Sequence, residues 1–282
     1  MTKGFLIDTD LEILRNGSPV ITTIPDLPSA LVSEIGEEIF HKSLCRHSEY
    51  LHLPFVQHHG IWFNWILTKY ELPSGNITDF AYLSTTSSSN TIVLIEIEDP
   101  TKKMWVGTPI KPEKSDPFVK AIEQVQRWRI DLKDPANFTQ LISDFKAMMG
   151  NSAMASNTWD VKYALVYGRS NENNTTSRKK MYADLQQDGI QLLTYDNLIS
   201  AHKTNGTIRR NIIKTTRPGP TFSYAYLNED PHAEFAYLNS GKLFIPKDVK
   251  EILIAKGFDI NSWEQGNLLS VNGRKDMASI YL

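Results

Sequence analysis

Apolar residues recur at two different periods along this chain, and the switches between them mark its elements. From Ser29 the run SALVSEIGEEIFHKSLCRH sets Leu31, Ile35, Ile39 and Leu44 near helical spacing behind a serine suited to cap the first turn, which predicts one helix. Three β-rich runs follow, IWFNWILTKYEL, TDFAYLST and TIVLIEIED, separated by PSGN and TTSSSN. Turns this short predict a meander of three antiparallel strands. The third run is apolar from Ile92 to Ile95, the pattern of a strand buried on both faces, so it belongs at the sheet centre. Asp116 and Pro117 read as a helix cap and first position, and Phe118, Ala121, Ile122, Val125 and Trp128 form one stripe that would pack on the sheet. NFTQLISDFKAMMG predicts a second helix, KYALVYG a buried strand, Thr175 to Asp188 a helix, IQLLTY a short strand and Asp196 the start of another helix. Strand, helix, strand at that spacing predicts a parallel crossover.

From Asn205 onward the chain turns to Gly, Pro, Asn and Tyr with a basic cluster, and only PKDVKEILIAKG keeps helical spacing. The pattern divides the chain into an N-terminal arm over 1–28, a main domain over 29–204 and a C-terminal extension or small α+β unit over 205–282. The class is α/β, a mixed central sheet flanked by helices. With 282 residues, 41% hydrophobic and 22% charged, the chain can bury a full core, which excludes disordered, collagen-like and coiled-coil proteins. Thirty basic against 32 acidic residues leave a net charge of -2, so any nucleic-acid contact must use a local basic surface. The single cysteine, Cys45, excludes an internal disulfide and a thiolate zinc module. With no apolar leader segment and no membrane-length run, the expectation is a soluble protein of the reducing cytoplasm.

The chemistry-bearing feature is an acid at the end of one strand, Asp79, followed across a loop by Glu96 and Glu98 on the next. Alternation along a strand puts Glu96 and Glu98 on one side and Ile97 on the other, and an antiparallel hairpin can set Asp79 beside Glu96. Three carboxylates converging on one spot repel one another, which a divalent cation such as Mg²⁺ relieves. Acidic residues at strand ends also occur simply as solvated charges.

The order of segments resembles the PD-(D/E)xK nuclease superfamily and, more closely, the Shedu family of anti-phage nucleases. The pieces that carry the resemblance are GNITDFAYL at 75–83, TIVLIEIEDP at 91–100, FVKAIEQVQRW at 118–128, ALVYGRS at 164–170 and LLTYDNLI at 192–199. They run in the family's order over about residues 35–200 and leave the arm and the C-terminal part uncovered. The resemblance implies a PD-(D/E)xK, restriction-endonuclease-like core and cleavage of DNA with Mg²⁺ or Mn²⁺. It implies that Asp79, Glu96 and the carbonyl of Ile97 bind the metal, and that Gln124 faces the site from the helix. Glu98 stands where the family pattern has lysine. A glutamate there can ligate a metal or accept a water's proton but supplies no positive charge. A nuclease-fold module that has lost catalysis and binds nucleic acid or a partner protein is therefore the alternative. The family also implies a homo-oligomer, while the broken apolar runs imply no membrane association.

Lys120 and Arg127 flank Gln124 at i-4 and i+3 and would form a polar, basic ridge. Together with Lys102, Lys103 and Arg169 they are candidates for DNA phosphates, each explained as well by solvation. Glu37 resembles an extra acid found near the metal in the superfamily, although Glu34, Glu37 and Glu38 also fit the wet face of a helix. His41, His47, His52, His58 and His59 lack metal-ligand spacing and read as packing or surface residues. IRRNIIKTTRPGP at 208–220 reads equally as a backbone-tracking segment or a basic linker, and Tyr224, Tyr226, Phe235 and Tyr237 as strand core.

Overall fold

A computed structural model describes residues 5–6, 26–32, 36–149, 152–186, 190–205, 210–216, 221–227, 240–245 and 247–275. After a two-residue strand β1 (Phe5–Leu6) come two helices, α1 (Leu27–Val32) and α2 (Glu37–Arg46), where the sequence predicts one. Ser29 is not a cap. It lies inside α1 and its amide donates to Asp26 Oδ1 at 3.0 Å, so the aspartate does the capping. A second start at Gly36 begins α2, and Ile35 of the predicted stripe lies outside the described residues.

The predicted meander forms as β2 (Ile61–Glu71), β3 (Ile77–Thr85) and β4 (Ser89–Ile97). The turn between β2 and β3 pairs Glu71 with Ile77, Tyr70 with Thr78 and Thr68 with Phe80. The turn between β3 and β4 pairs Thr85 with Asn90 and runs to Phe80 opposite Ile95. These two registers fix which side chains meet at the far end of the hairpins. Beyond β4 a small hairpin, β5 (Trp105–Gly107) with β6 (Pro112–Lys114), leads into α3 (Asp116–Asp131) and α4 (Pro135–Met149). The cap of α3 is Ser115, one residue before the predicted Asp116. Its hydroxyl accepts from the Phe118 amide at 3.3 Å and donates to the Lys103 carbonyl at 2.5 Å, fixing the hairpin's base and the helix start together.

The crossover is present as predicted: β7 (Thr158–Val166) pairs parallel with β4, and β8 (Ile190–Leu193) pairs parallel with β7 through α5 (Thr176–Gln186). The helix α6 (Tyr195–Asn205) follows. The sheet does not stop where the composition changes. β9 (Asn211–Thr216) lies parallel to β2 and is followed by β10 (Thr221–Leu227), giving the order β1-β10-β9-β2-β3-β4-β7-β8, with β11 (Leu243–Phe244) on β10. The predicted C-terminal helix is α7 (Lys247–Ala255), and a short α8 (Ile260–Glu264) adds to it. Arg209, Arg217, Phe235 and Tyr237 lie outside the described residues.

Helices cover both faces of this mixed sheet. On one, the α3 stripe joins Leu141 and Phe145 of α4 against Ala81, Leu83, Ile92 and Leu94. On the other, Leu27, Phe40, Leu44, Tyr195 and Leu198 pack on Phe80, Tyr82, Val93, Ile95 and Ile97. The α3 stripe is buried throughout, with Phe118 set edge-on to Trp105 and tilted against Tyr167. Phe118→Ala should therefore cost about 3–5 kcal/mol in urea denaturation, whereas Arg127→Ala on the exposed side of the same helix should stay within about 0.5 kcal/mol.

Candidate functional site

At the open end of the β3–β4 hairpin the backbone ladder stops at Phe80 and Ile95, and side chains take over. The Thr78 hydroxyl lies 2.8 Å from the Ile95 carbonyl and 2.9 Å from that of Phe80. One residue on, Asp79 Oδ2 accepts the Ile97 amide at 2.8 Å, a donor that continued pairing would have given to a backbone carbonyl. The strands thus diverge around the carboxylate of a buried aspartate.

Extending the register places Asp79 beside Glu96, as the sequence predicts. Glu96 lies on the α3 face, where Gln124 Nε2 donates to its Oε1 at 2.6 Å, while Ile97 packs into the opposite core. The other oxygen, Glu96 Oε2, is buried with no hydrogen-bond partner. Burial, then the charges of Asp79 and Glu98, push the Glu96 carboxyl up to about 9. An unpartnered buried carboxylate oxygen beside a second carboxylate is a donor arrangement that fits a hard divalent cation. The predicted convergence of three carboxylates is not formed: among the described residues no three His, Cys, Asp or Glu side chains are grouped to hold a metal ion. Glu98 turns instead to the Lys102 ammonium, in close contact four residues on, and Lys102 also reaches Glu37 at 3.4 Å. A lysine within reach neutralises the third acid more favourably than crowding it against the first two.

The remaining pieces of the resemblance hold the end of β4 in place. Gly168 has φ +62°, and a Cβ there would stand 2.8 Å from Glu172 Oε1, so the turn after β7 requires glycine. Arg169 grips Asp196 through Nε and Nη2, the latter at 2.8 Å from Oδ1, and Asp196 Oδ2 also accepts the Ser170 amide at 2.7 Å. Against the effect of burial, these donors hold the Asp196 carboxyl down at about 2. Next to it the buried Tyr195 hydroxyl donates to the Glu98 carbonyl. Arg169, a candidate for phosphate, thus ties the β7 turn to α6. Lys103, Lys120 and Arg127 are exposed, the last two on α3.

Two further residues lie near Asp79, and the first, Lys69, carries no mark in a linear reading. Lys69 on β2 lies between the pairs Thr68–Phe80 and Tyr70–Thr78, opposite Asp79, and its ammonium contacts Asp79 Oδ1. Burial disfavours its charge, but the Asp79 carboxylate more than offsets this and raises it above the ordinary lysine value. His41 of α2 stacks on Phe80 with centroids 4.9 Å apart, its Nε2 2.9 Å from the Thr68 hydroxyl and 3.5 Å from the Asp79 carbonyl. Burial lowers it to about 4, so it is a neutral packing partner behind the site, in line with its expected role. Arg210 of the basic run donates its amide to the Ser48 hydroxyl at 2.7 Å and is not a free linker residue.

The family model described as Shedu protein SduA, C-terminal, matches residues 36–199, more than half the chain. This chain belongs to the Shedu family. The match begins at the cap of α2 and ends in α6, so it spans the whole arrangement of Glu37, Asp79, Glu96, Glu98, Gln124 and the Arg169–Asp196 clamp. No curated protein matches the chain at a significant level. In this Shedu protein the raised Glu96 carboxyl has a measurable consequence. The folded state keeps the proton above pH 4.5 while the unfolded chain gives it up, so Glu96 favours unfolding increasingly as pH rises from about 4.5 to about 9. Glu96→Gln should remove that slope and raise the metal-free melting temperature at pH 8 by at least about 3 °C, read by calorimetry across that pH range.

Proposed function

We propose that this chain is a divalent-metal-dependent endodeoxyribonuclease with a PD-(D/E)xK-type core, acting in the anti-phage defence to which Shedu membership points. The observation that carries the reading is the buried Asp79–Glu96 pair where β3 and β4 part, with Glu96 Oε2 unpartnered. Such a pair opposes folding in the absence of a cation, and binding one relieves it. Asp79 and Glu96, with the Ile97 carbonyl, would hold Mg²⁺ or Mn²⁺. A cation held there would polarise a phosphoryl oxygen as a Lewis acid and make a water more acidic. Gln124 fixes the rotamer of Glu96 through Oε1 and so directs Oε2 into the site. Glu98, steadied by Lys102 and by the Tyr195 bond to its carbonyl, would accept the proton of the attacking water. Lys103, Lys120 and Arg127 would meet the DNA backbone, with exposure as the support for all three. Assembly into a homo-oligomer and a cytoplasmic location belong to the same reading. No helix among the described residues is long and apolar enough to cross a membrane.

A second reading, a non-catalytic module that binds nucleic acid or a protein, is favoured by one observation: Glu98 occupies the family's lysine position and is itself neutralised by Lys102. Cleavage of DNA by the purified chain with and without Mn²⁺ separates the two. Mn²⁺-dependent nicking or cutting that vanishes in Asp79→Ala supports the nuclease. DNA binding without cleavage at any Mn²⁺ concentration puts the module first. Gln124→Ala should slow cleavage by about tenfold or more and also lower the melting temperature by a few degrees, roughly 3–8 °C, because it takes from the buried Glu96 its donor at Oε1 without opening a core cavity.

A further inference from the structure

Lys69 meets Asp79 by construction and not by surface chance. The β2–β3 register puts the two residues opposite one another, and β2 loses its other partner, β9, just before, at Leu67. At Lys69 itself the backbone takes φ +45°, a left-handed conformation that is strained for a lysine. The strain accompanies a change of face, since Thr68 bonds His41 on the α2 side while Tyr70 packs into the core on the α3 side. The resulting pair is asymmetric: the Asp79 side chain is 7% exposed, whereas that of Lys69 is 48% exposed. The carboxylate is fixed in the site by the Ile97 amide, but the ammonium can withdraw into water without leaving a buried charge of its own.

We propose that Lys69 is a built-in counter-cation of the carboxylate pair: its ammonium occupies Asp79 Oδ1 where a divalent cation would bind, so that the Lys69–Asp79 pair and the bound cation exclude one another. The inference rests on the metal-site reading above and adds a means of restraint to it. The positive charge balances the buried Asp79 carboxylate in the metal-free protein, and it raises the concentration of cation needed to load the site. Lys69 acts through Asp79 and is in that sense a positioning residue.

The test is isothermal titration of the full chain with Mn²⁺, alongside metal-free melting. Lys69→Met keeps the length of the side chain and removes its charge. It should bind Mn²⁺ about tenfold more tightly or better, while the metal-free melting temperature falls and the Mn²⁺-induced rise grows. Lys69→Arg keeps the charge and should bind Mn²⁺ within about threefold of the wild type, which separates charge from packing. A merely structural lysine would lower the melting temperature in Lys69→Met and leave Mn²⁺ affinity equal or weaker; that result overturns the inference while wild-type Mn²⁺ binding stands. A wild type that takes up no Mn²⁺ overturns the metal-site reading and this inference with it.

Discussion

The hydrogen bond from the Ile97 amide to the Asp79 carboxylate is the interaction on which the site depends. It ends the β3–β4 ladder with a side chain in place of a carbonyl, opening the strands without orphaning the donor. The Thr78 hydroxyl serves the same end by reaching the Ile95 carbonyl. Because both substitutions lie at the base of a sheet covered by helices, the carboxylate they position is buried, and burial gives the neighbouring acid its unusual proton affinity.

Charge across the site alternates. Lys69 stands on Asp79, Lys102 bridges Glu98 and Glu37, and between the two pairs Glu96 receives only the neutral amide of Gln124. A neutral donor directs a carboxylate without compensating its charge, so the unrelieved electrostatic cost of the centre falls on Glu96. That concentration of cost on one side chain distinguishes this cluster from a set of exposed surface ion pairs, which contribute little.

Support for the β4 end comes from elements far along the chain. Gly168, Arg169, Tyr195 and Asp196 lock the turn after β7 to α6, and Tyr195 reaches back to the carbonyl of Glu98. The rest of the C-terminal half contributes β9 against β2, alongside the strand that carries Lys69. The region with the weakest sequence pattern therefore flanks the side of the sheet opposite the clamp.

The sequence by itself determined the elements of the meander, the buried α3 stripe, the parallel crossover and the approach of Asp79 to Glu96, because strand alternation, helical spacing and short turns are local rules, whereas Gln124 was placed at Glu96 by the family resemblance alone. The Lys69–Asp79 pairing needed the observed register: only with Glu71 opposite Ile77 does counting back along the hairpin place residue 69 opposite 79. Only the tertiary structure decided the rest. Glu98 turned from the other acids to Lys102, Arg169 closed on Asp196, and β9 joined the sheet beyond a compositional change, since ion-pair choice and long-range strand pairing depend on distances that no local pattern encodes. The split of α1 from α2 and the cap at Ser115 were missed for a smaller reason: several neighbouring residues could cap, and the geometry of the preceding loop selects among them.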